Sequence, residues 1–244
     1  MKLILIPDVH GRTFWKEPVQ KHIDDYDKVV FLGDYLDSYP DEWKDVEHTR
    51  EDDINNMLEI IDLKSKYGDK VVLLKGNHDE HYCNKIFNDL AGGTRKDEIN
   101  ASRIGEIFNE FKDYFQLAYE TTVNGKRILI THAGVTKSWY EQNKELIGEL
   151  NAENLNKIEA SEIGQVALAQ ISPYRTWFGG KTGSILWSDV REFALDENEN
   201  IEGVYQIFGH TRLNGKPYIT DKFACIDCSQ AFAVDEEGNL NELS

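Results

Sequence analysis

Five short stretches of the chain set Asp, Asn or His beside glycine. They are Asp-Val-His-Gly (Asp8, His10), Gly-Asp-Tyr-Leu-Asp (Asp34, Asp37), Gly-Asn-His-Asp-Glu-His (Asn77, His78), Thr-His-Ala-Gly (His132) and Gly-His-Thr (His210). Their oxygen and imidazole donors, with no thiolate among them, suit manganese, iron or zinc. One carboxylate can bridge two cations through its two oxygens, and Asp34 is the candidate for that place. Two cations about 3.5–4 Å apart polarise phosphate oxygens and turn water into a nucleophile near neutral pH. The adjacent glycines allow sharp turns and close approach of backbone to an ion. Taken singly, each stretch has an ordinary structural use; Asn77-His78, for instance, suits a plain strand-to-helix turn. Their recurrence in five places argues for one shared site.

The elements that must position them are apolar runs rich in branched residues. Leu3–Pro7, Lys28–Asp34 and Lys70–Asn77 read as buried strands that end in the motifs. Between the last two, Ile54, Leu58, Ile61 and Leu63 keep helical spacing, and Gly68 stands where a helix would stop. This alternation points to βαβ units with a parallel sheet. Open α/β sheets gather ligands at the carboxyl ends of their strands. Asn84–Phe115 reads as mostly helical, with Ile104, Ile107, Phe108 and Phe111 on one face. Gln116–Gly134 reads as a hairpin turning at Asn124-Gly125, and Lys137–Ala169 as helical. The late runs Val204–Thr211, Lys216–Thr220 and Phe223–Asp235 are expected to be antiparallel strands. The organisation expected is one α/β domain over 1–244, with helical insertions at about 84–115 and 137–180.

The formal charge of −17 and pI of about 4.8 argue against nucleic-acid or anionic-membrane partners, which favour Lys and Arg. A phosphate substrate stays compatible, because bound cations reverse the field locally. Cys83, Cys225 and Cys228 are too few for a disulfide framework. Four apolar residues before Pro7 are too short for a signal-peptide core, so a soluble, cytoplasmic protein is expected. Oligomeric state is not legible. Three further stretches are set aside. Cys225-Ile-Asp-Cys228 lacks the second pair a zinc ribbon needs. Arg175–Thr182 has Arg where a phosphate-binding loop needs its first Gly. Asp196–Gly203 has Ile201 where a calcium loop needs Gly.

Taken together, the motifs Asp-Val-His-Gly, Gly-Asp-Tyr-Leu-Asp, Gly-Asn-His-Asp-Glu, His-Ala-Gly and Gly-His-Thr resemble the calcineurin-like metallophosphoesterases. Within them the chain is similar to the phosphoprotein phosphatase branch, which includes bacterial and phage protein phosphatases and the symmetrical diadenosine tetraphosphate hydrolases. Ser184–Glu192 also resembles that branch's Leu-Trp-Ser-Asp segment. The resemblance implies a layered fold of mixed β-sheets packed as a sandwich and flanked by helices. It implies Asp8, His10 and Asp34 on a first divalent cation, and Asp34, Asn77, His132 and His210 on a second. Manganese is the first expectation for the pair, with iron or zinc as alternatives. His78 would be the general acid and Asp37 its orienting carboxylate, while a metal-bound hydroxide attacks phosphorus in line.

The chain departs from that pattern at the phosphate clamp. Ser38 and Tyr39 stand where the branch has Arg, and Lys75 where protein phosphatases often have Arg. Arg191, Arg12, Arg212 and Lys75 are the candidates to contact phosphate, Arg191 foremost. His81 is expected to be a partly exposed helix residue, and the diadenosine hydrolases carry a comparable His. Trp15, Tyr39, Tyr174, Trp177 and Phe178 are candidate groove walls. The expected activity is hydrolysis of phosphomonoesters on protein or on a small molecule. The alternatives are symmetrical cleavage of a dinucleoside tetraphosphate, another phosphoanhydride or a phosphodiester, and, behind these, a non-catalytic binding scaffold.

Overall fold

The computed structural model describes residues 1–43, 47–91, 95–177 and 179–243. Its strands are β1 (Leu3–Ile6), β2 (Lys28–Phe31), β3 (Val71–Leu74), β4 (Phe115–Gln116), β5 (Ala118–Val123), β6 (Lys126–Thr131), β7 (Tyr205–Phe208), β8 (Tyr218–Ile219), β9 (Phe223–Cys225), β10 (Phe232–Val234) and β11 (Leu240–Glu242). Its helices are α1 (Lys16–His22), α2 (Arg50–Tyr67), α3 (Asn77–Cys83), α4 (Lys85–Ala91), α5 (Ala101–Glu110), α6 (Lys137–Gln142), α7 (Lys144–Ile147), α8 (Ala152–Lys157), α9 (Glu162–Leu168) and α10 (Val190–Leu195).

The strands form two mixed sheets. One runs β11-β10-β1-β2-β3-β4, parallel from β1 to β4 and antiparallel at β10 and β11. The other runs β5-β6-β7-β9-β8. The two-residue period of a strand sends neighbouring side chains to opposite faces. Ile4, Ile6, Val29, Phe31, Val71 and Leu73 therefore meet Ile54, Met57, Ile60 and Ile61 of α2 and Ile104 and Phe108 of α5. Leu3, Leu5, Val30, Leu32 and Leu74 face the second sheet and pack on Ile128, Ile130, Ile207 and Ala224. Leu129 turns the other way, into a core with Trp139, Leu155, Ile158 and Leu168 of the second helical region. The result is helix, sheet, sheet, helix, as the fold expectation has it.

Local chemistry explains the ends of these elements. Helix α2 starts at Thr49, whose hydroxyl accepts from the Asp52 N–H at 3.3 Å while the Asp52 carboxylate accepts from the Thr49 N–H at 2.8 Å. It stops at Gly68 (φ 54°). The turn at Asn124 (φ 48°) and Gly125 (φ 74°) has the left-handed pair a type I′ hairpin needs.

Two expectations change. The buried stripe of α2 is Ile54, Met57, Ile60 and Ile61, with Leu58 and Leu63 only partly buried. The late strands are not all antiparallel: β7 lies parallel to both β6 and β9, while β8 with β9, β10 with β1 and β10 with β11 pair antiparallel. A strand buried on both faces reads the same in either direction, so its sequence did not distinguish them. Among the described residues no helix is long and apolar enough to cross a membrane.

Candidate active site

The five motifs meet at the carboxyl ends of β1, β2, β3, β6 and β7. Asp8, His10, Asp34, Asp37, Asn77, His78, His132 and His210 are all buried. His132 Nε2 lies 3.1 Å from Asn77 Oδ1, 3.0 Å from His210 Nδ1 and 3.5 Å from Asp34 Oδ2. The same Asp34 oxygen lies 3.4 Å from His10 Nε2, which is 4.0 Å from Asp8 Oδ2. Donor atoms of Asp8, Asp34, His132 and His210 all fall within 4.8 Å of one another, as do those of His10, Asp34 and His78. Asp34 belongs to both groups, the position a shared ligand requires. Asp8 sits with the His132 group as well as beside His10.

The donor set fits cations. His10 Nδ1 donates to the Leu36 carbonyl at 2.7 Å, and His132 Nδ1 to the Leu32 carbonyl at 2.8 Å. Each bond fixes the tautomer and leaves Nε2 as a lone pair facing the cluster. Burial, followed by the Arg175 guanidinium and His132, pushes His210 well below the ordinary imidazole range. Burial does the same to His10 against the pull of Asp34. Neutral imidazoles are the form that binds metal. Burial would push the Asp34 carboxyl up, but His132, His78 and His10 outweigh it and hold the group low. Acceptor atoms of Asn77, His132, His210 and Asp34 thus converge in an arrangement that suits a cation.

The backbone is bent to make this possible. Among the described residues seven non-glycine positions have φ above zero, and His10, Asp34, Asp37, Arg95 and His210 are five of them. Such conformations cost about 1 kcal/mol or more each and persist where the surroundings enforce them. Two glycines admit the carboxylates: a Cβ on Gly209 would meet Asp8 Oδ1 at 2.2 Å, and one on Gly76 would meet Asp34 Oδ1 at 2.1 Å.

Asp79 ties two of the turns together. Its carboxylate accepts from the N–H groups of Asp34 and Gly76, both at 2.8 Å, and of Tyr35 at 3.1 Å. Asp79→Ala strands three buried donors, each costing about 1–3 kcal/mol. The expected result is a loss of about 3 kcal/mol or more by urea denaturation, with weakened metal binding by titration.

His78 stands beside the cluster. Its Nδ1 is 2.7 Å from Asp37 Oδ2, and the Tyr82 hydroxyl donates to Asp37 Oδ1 at 2.5 Å. The Tyr82 oxygen in turn accepts from the Asp97 N–H at 2.7 Å. The His78 ring is therefore held at Nδ1, and Nε2 faces the Arg95 guanidinium at 3.3 Å.

The candidate phosphate contacts fare unevenly. Lys75 is buried and its ammonium lies 2.6 Å from Glu80 and against Glu159. These two carboxylates neutralise it and tie β3 to the turn after α8. Arg12 is engaged by the carbonyls of Val9 (3.1 Å) and Asp8 (2.8 Å) and by Ser229 Oγ (2.5 Å). Arg191 grips Asp189 at 2.7 and 3.0 Å and is half exposed. Arg212 pairs with Glu42 at 2.5 Å while lying over the Tyr39 ring.

Two further arginines, not among the sequence candidates for phosphate contact, also touch the site. Arg175 Nη2 donates to the His210 carbonyl at 3.1 Å and to Thr211 Oγ1 at 3.0 Å, and its Nε lies 3.3 Å from Asp189. Arg95 Nη2 lies 3.3 Å from His78 Nε2. Arg175 entered the sequence reading only as the residue that disqualified a phosphate-binding loop, and no motif or periodicity marked Arg95.

His81, expected to be partly exposed, is buried against His78, Phe87 and Trp187. Burial, then His78, pushes its pKa down to about 3. Trp187, from the Leu-Trp-Ser-Asp segment, packs edge-on to His210 with ring centres 5.5 Å apart. Of the candidate groove aromatics, Trp15 is in the core, Tyr39 is at the site, and Tyr174 and Trp177 are exposed. Phe178 lies outside the described residues. Cys225 and Cys228 are buried small side chains, as expected.

Comparison with known proteins agrees with this geometry. The sequence model of the calcineurin-like phosphoesterase family matches residues 1–214. A curated Caenorhabditis elegans protein named "Putative serine/threonine-protein phosphatase C06A1.3" is 27% identical over 183 residues, which are 75% of this chain. The chain spans 40% of that protein's length. Two solved structures share the fold over 100% of this chain. A hypothetical protein of Pyrococcus horikoshii does so at TM-score 0.53 and 11% identity, with 87% of its own chain covered. A protein serine/threonine phosphatase of Saccharomyces cerevisiae does so at TM-score 0.52 and 14% identity, with 80% covered. With its motifs gathered into one buried site and residues 1–214 matched by the family model, the chain belongs to the calcineurin-like phosphoesterase family.

Proposed function

We propose that the protein hydrolyses phosphomonoesters, in the manner of a serine/threonine phosphatase, at a centre of two divalent cations. The observation that carries this reading is the His78–Asp37–Tyr82 chain beside the shared carboxylate Asp34. It holds the His78 imidazole by Nδ1, the orientation a general acid requires. Asp8, His10 and Asp34 would hold one cation, and Asp34, Asn77, His132 and His210 the other. When bound, the cations supply Lewis-acid polarisation of the phosphate and an activated water. Manganese is the pair we favour, with iron or zinc open to the same ligands.

The chain's own residues do the rest. Water oxygen forms a bond to phosphorus in line as the ester P–O bond breaks. His78 Nε2–H passes its proton to the departing alkoxide, and Asp37 stabilises the imidazolium through Nδ1. The proton released by the water restores His78, so one ester and one water give one alcohol and one phosphate.

The substrate is a phosphorylated protein or a small phosphorylated molecule. Three free cysteines are consistent with a reducing, cytoplasmic compartment. A second reading, symmetrical cleavage of a dinucleoside tetraphosphate, draws on His81, whose ring nitrogens are buried without hydrogen-bond partners next to His78. Product analysis separates the two. With phosphoserine peptide and diadenosine tetraphosphate as parallel substrates, the first reading predicts inorganic phosphate from the peptide. Turnover of diadenosine tetraphosphate alone, giving only ADP, would replace it by the second.

A further inference from the structure

We infer that Arg95, reaching in from the segment between α4 and α5, clamps the substrate's terminal phosphate in place of the arginine that Ser38 displaces. The inference rests on the phosphomonoesterase reading above. It names the residue that binds the dianion.

Geometry is the first argument. The Arg95 guanidinium lies 3.7 Å from the centre of the Tyr39 ring, and Tyr39 packs edge-on to His10 at 5.0 Å. Arg95 Nε donates to the Asp37 carbonyl at 3.0 Å, one residue before Ser38. Nη2 lies 3.3 Å from His78 Nε2. Arg95 Nη2 and His78 Nε2 therefore face one region. An anionic acceptor between them satisfies both, and the terminal phosphate of a monoester is such an acceptor.

Charge is the second. Among the described residues no carboxylate lies within 4.0 Å of the Arg95 guanidinium, although the chain's net charge is −17. Arg12, Arg175, Arg191, Arg212 and Lys75 all have carboxylate partners. Of these six cations of the described residues, Arg95 is the one without a carboxylate partner.

Support from behind is the third. Arg95 adopts φ 64°, a conformation it shares with four proposed site residues. Its carbonyl accepts from Arg50 Nη2 at 2.9 Å. Arg50 Nη1 lies 3.3 Å from Asp53 Oδ2, which accepts from the Ser38 N–H at 3.1 Å. The loop that lost the arginine thus braces the one that supplies it. Stacking on Tyr39 fixes the plane of the fork, which a lysine would not reproduce.

The test uses manganese-loaded wild type, Arg95→Ala and Arg95→Lys, with inorganic phosphate and p-nitrophenyl phosphate as probes. Arg95→Ala is expected to raise both the KM and the inhibition constant for phosphate about tenfold or more, the loss of one charge-assisted fork. Arg95→Lys should recover only part of this. Manganese affinity, read by titration, should stay within about twofold, which a merely structural role would not allow. The phosphate-induced rise in Tm of the manganese form gives the same comparison without turnover. If the wild type binds phosphate but hydrolyses no monoester, and Arg95→Ala still weakens phosphate binding, the clamp stands and the monoesterase reading falls. Unchanged KM and unchanged phosphate binding in Arg95→Ala would overturn the clamp.

Discussion

Asp34→Asn is expected to reduce metal-dependent turnover by at least about a thousandfold, a loss of about 4 kcal/mol of transition-state stabilisation. The amide is nearly isosteric, so the local fold should hold. Asp34 Oδ1 accepts from the His78 N–H at 2.9 Å, and an amide oxygen can keep that bond. The change falls on Oδ2, which lies 3.4 Å from His10 Nε2 and 3.5 Å from His132 Nε2. There the substitution puts an NH₂ donor, with no lone pair for a cation, between two groups of lone pairs. It also removes the negative charge shared by both. The checks are kinetic assay and metal titration together. Wild type should bind two manganese ions per chain with a rise in Tm, since a ligand that binds only the folded state stabilises it. Asp34→Asn should bind fewer, with little rise.

His78→Asn should separate chemistry from binding. On a phosphoserine peptide, whose alkoxide leaving group needs a proton, kcat is expected to fall by about 10²–10⁴. On p-nitrophenyl phosphate, whose leaving group is stable as an anion, the loss should be far smaller. Metal stoichiometry should be unchanged. The reason is positional: His78 Nδ1 is occupied by Asp37 at 2.7 Å, and Nε2 is the atom that can reach a departing oxygen. An equal loss on both substrates would remove the acid role and leave His78 as a ligand or a packing residue, consistent with its grouping with His10 and Asp34.

Much of this site was legible because the chemistry sits at strand ends. Asp8, Asp34, Asn77, His132 and His210 each follow a buried apolar run, and a parallel-biased sheet must bring such ends together. Arg95 and Arg175 were not legible. Each comes from irregular chain, with no periodic neighbour to fix its direction, and each reaches the site through tertiary contacts with Tyr39, Asp37 or His210. His81 was misjudged because α3 carries polar residues on every face, yet Asn77 to His81 are all buried. His81 is held there by ring packing against His78, Phe87 and Trp187 rather than by hydrogen bonds, and no sequence period signals such packing. Lys75 was read by analogy of position, but the choice of partner belonged to Glu80 and Glu159, which no local pattern places.

The most direct test strips the protein of metal and assays a phosphoserine peptide with Mn²⁺, Fe²⁺, Zn²⁺ or Mg²⁺ added back, while counting bound ions by equilibrium dialysis. The account predicts no turnover without metal, and release of inorganic phosphate that saturates as the second ion binds. Two ions bound per chain with no phosphate released, from this peptide or from p-nitrophenyl phosphate, would contradict it.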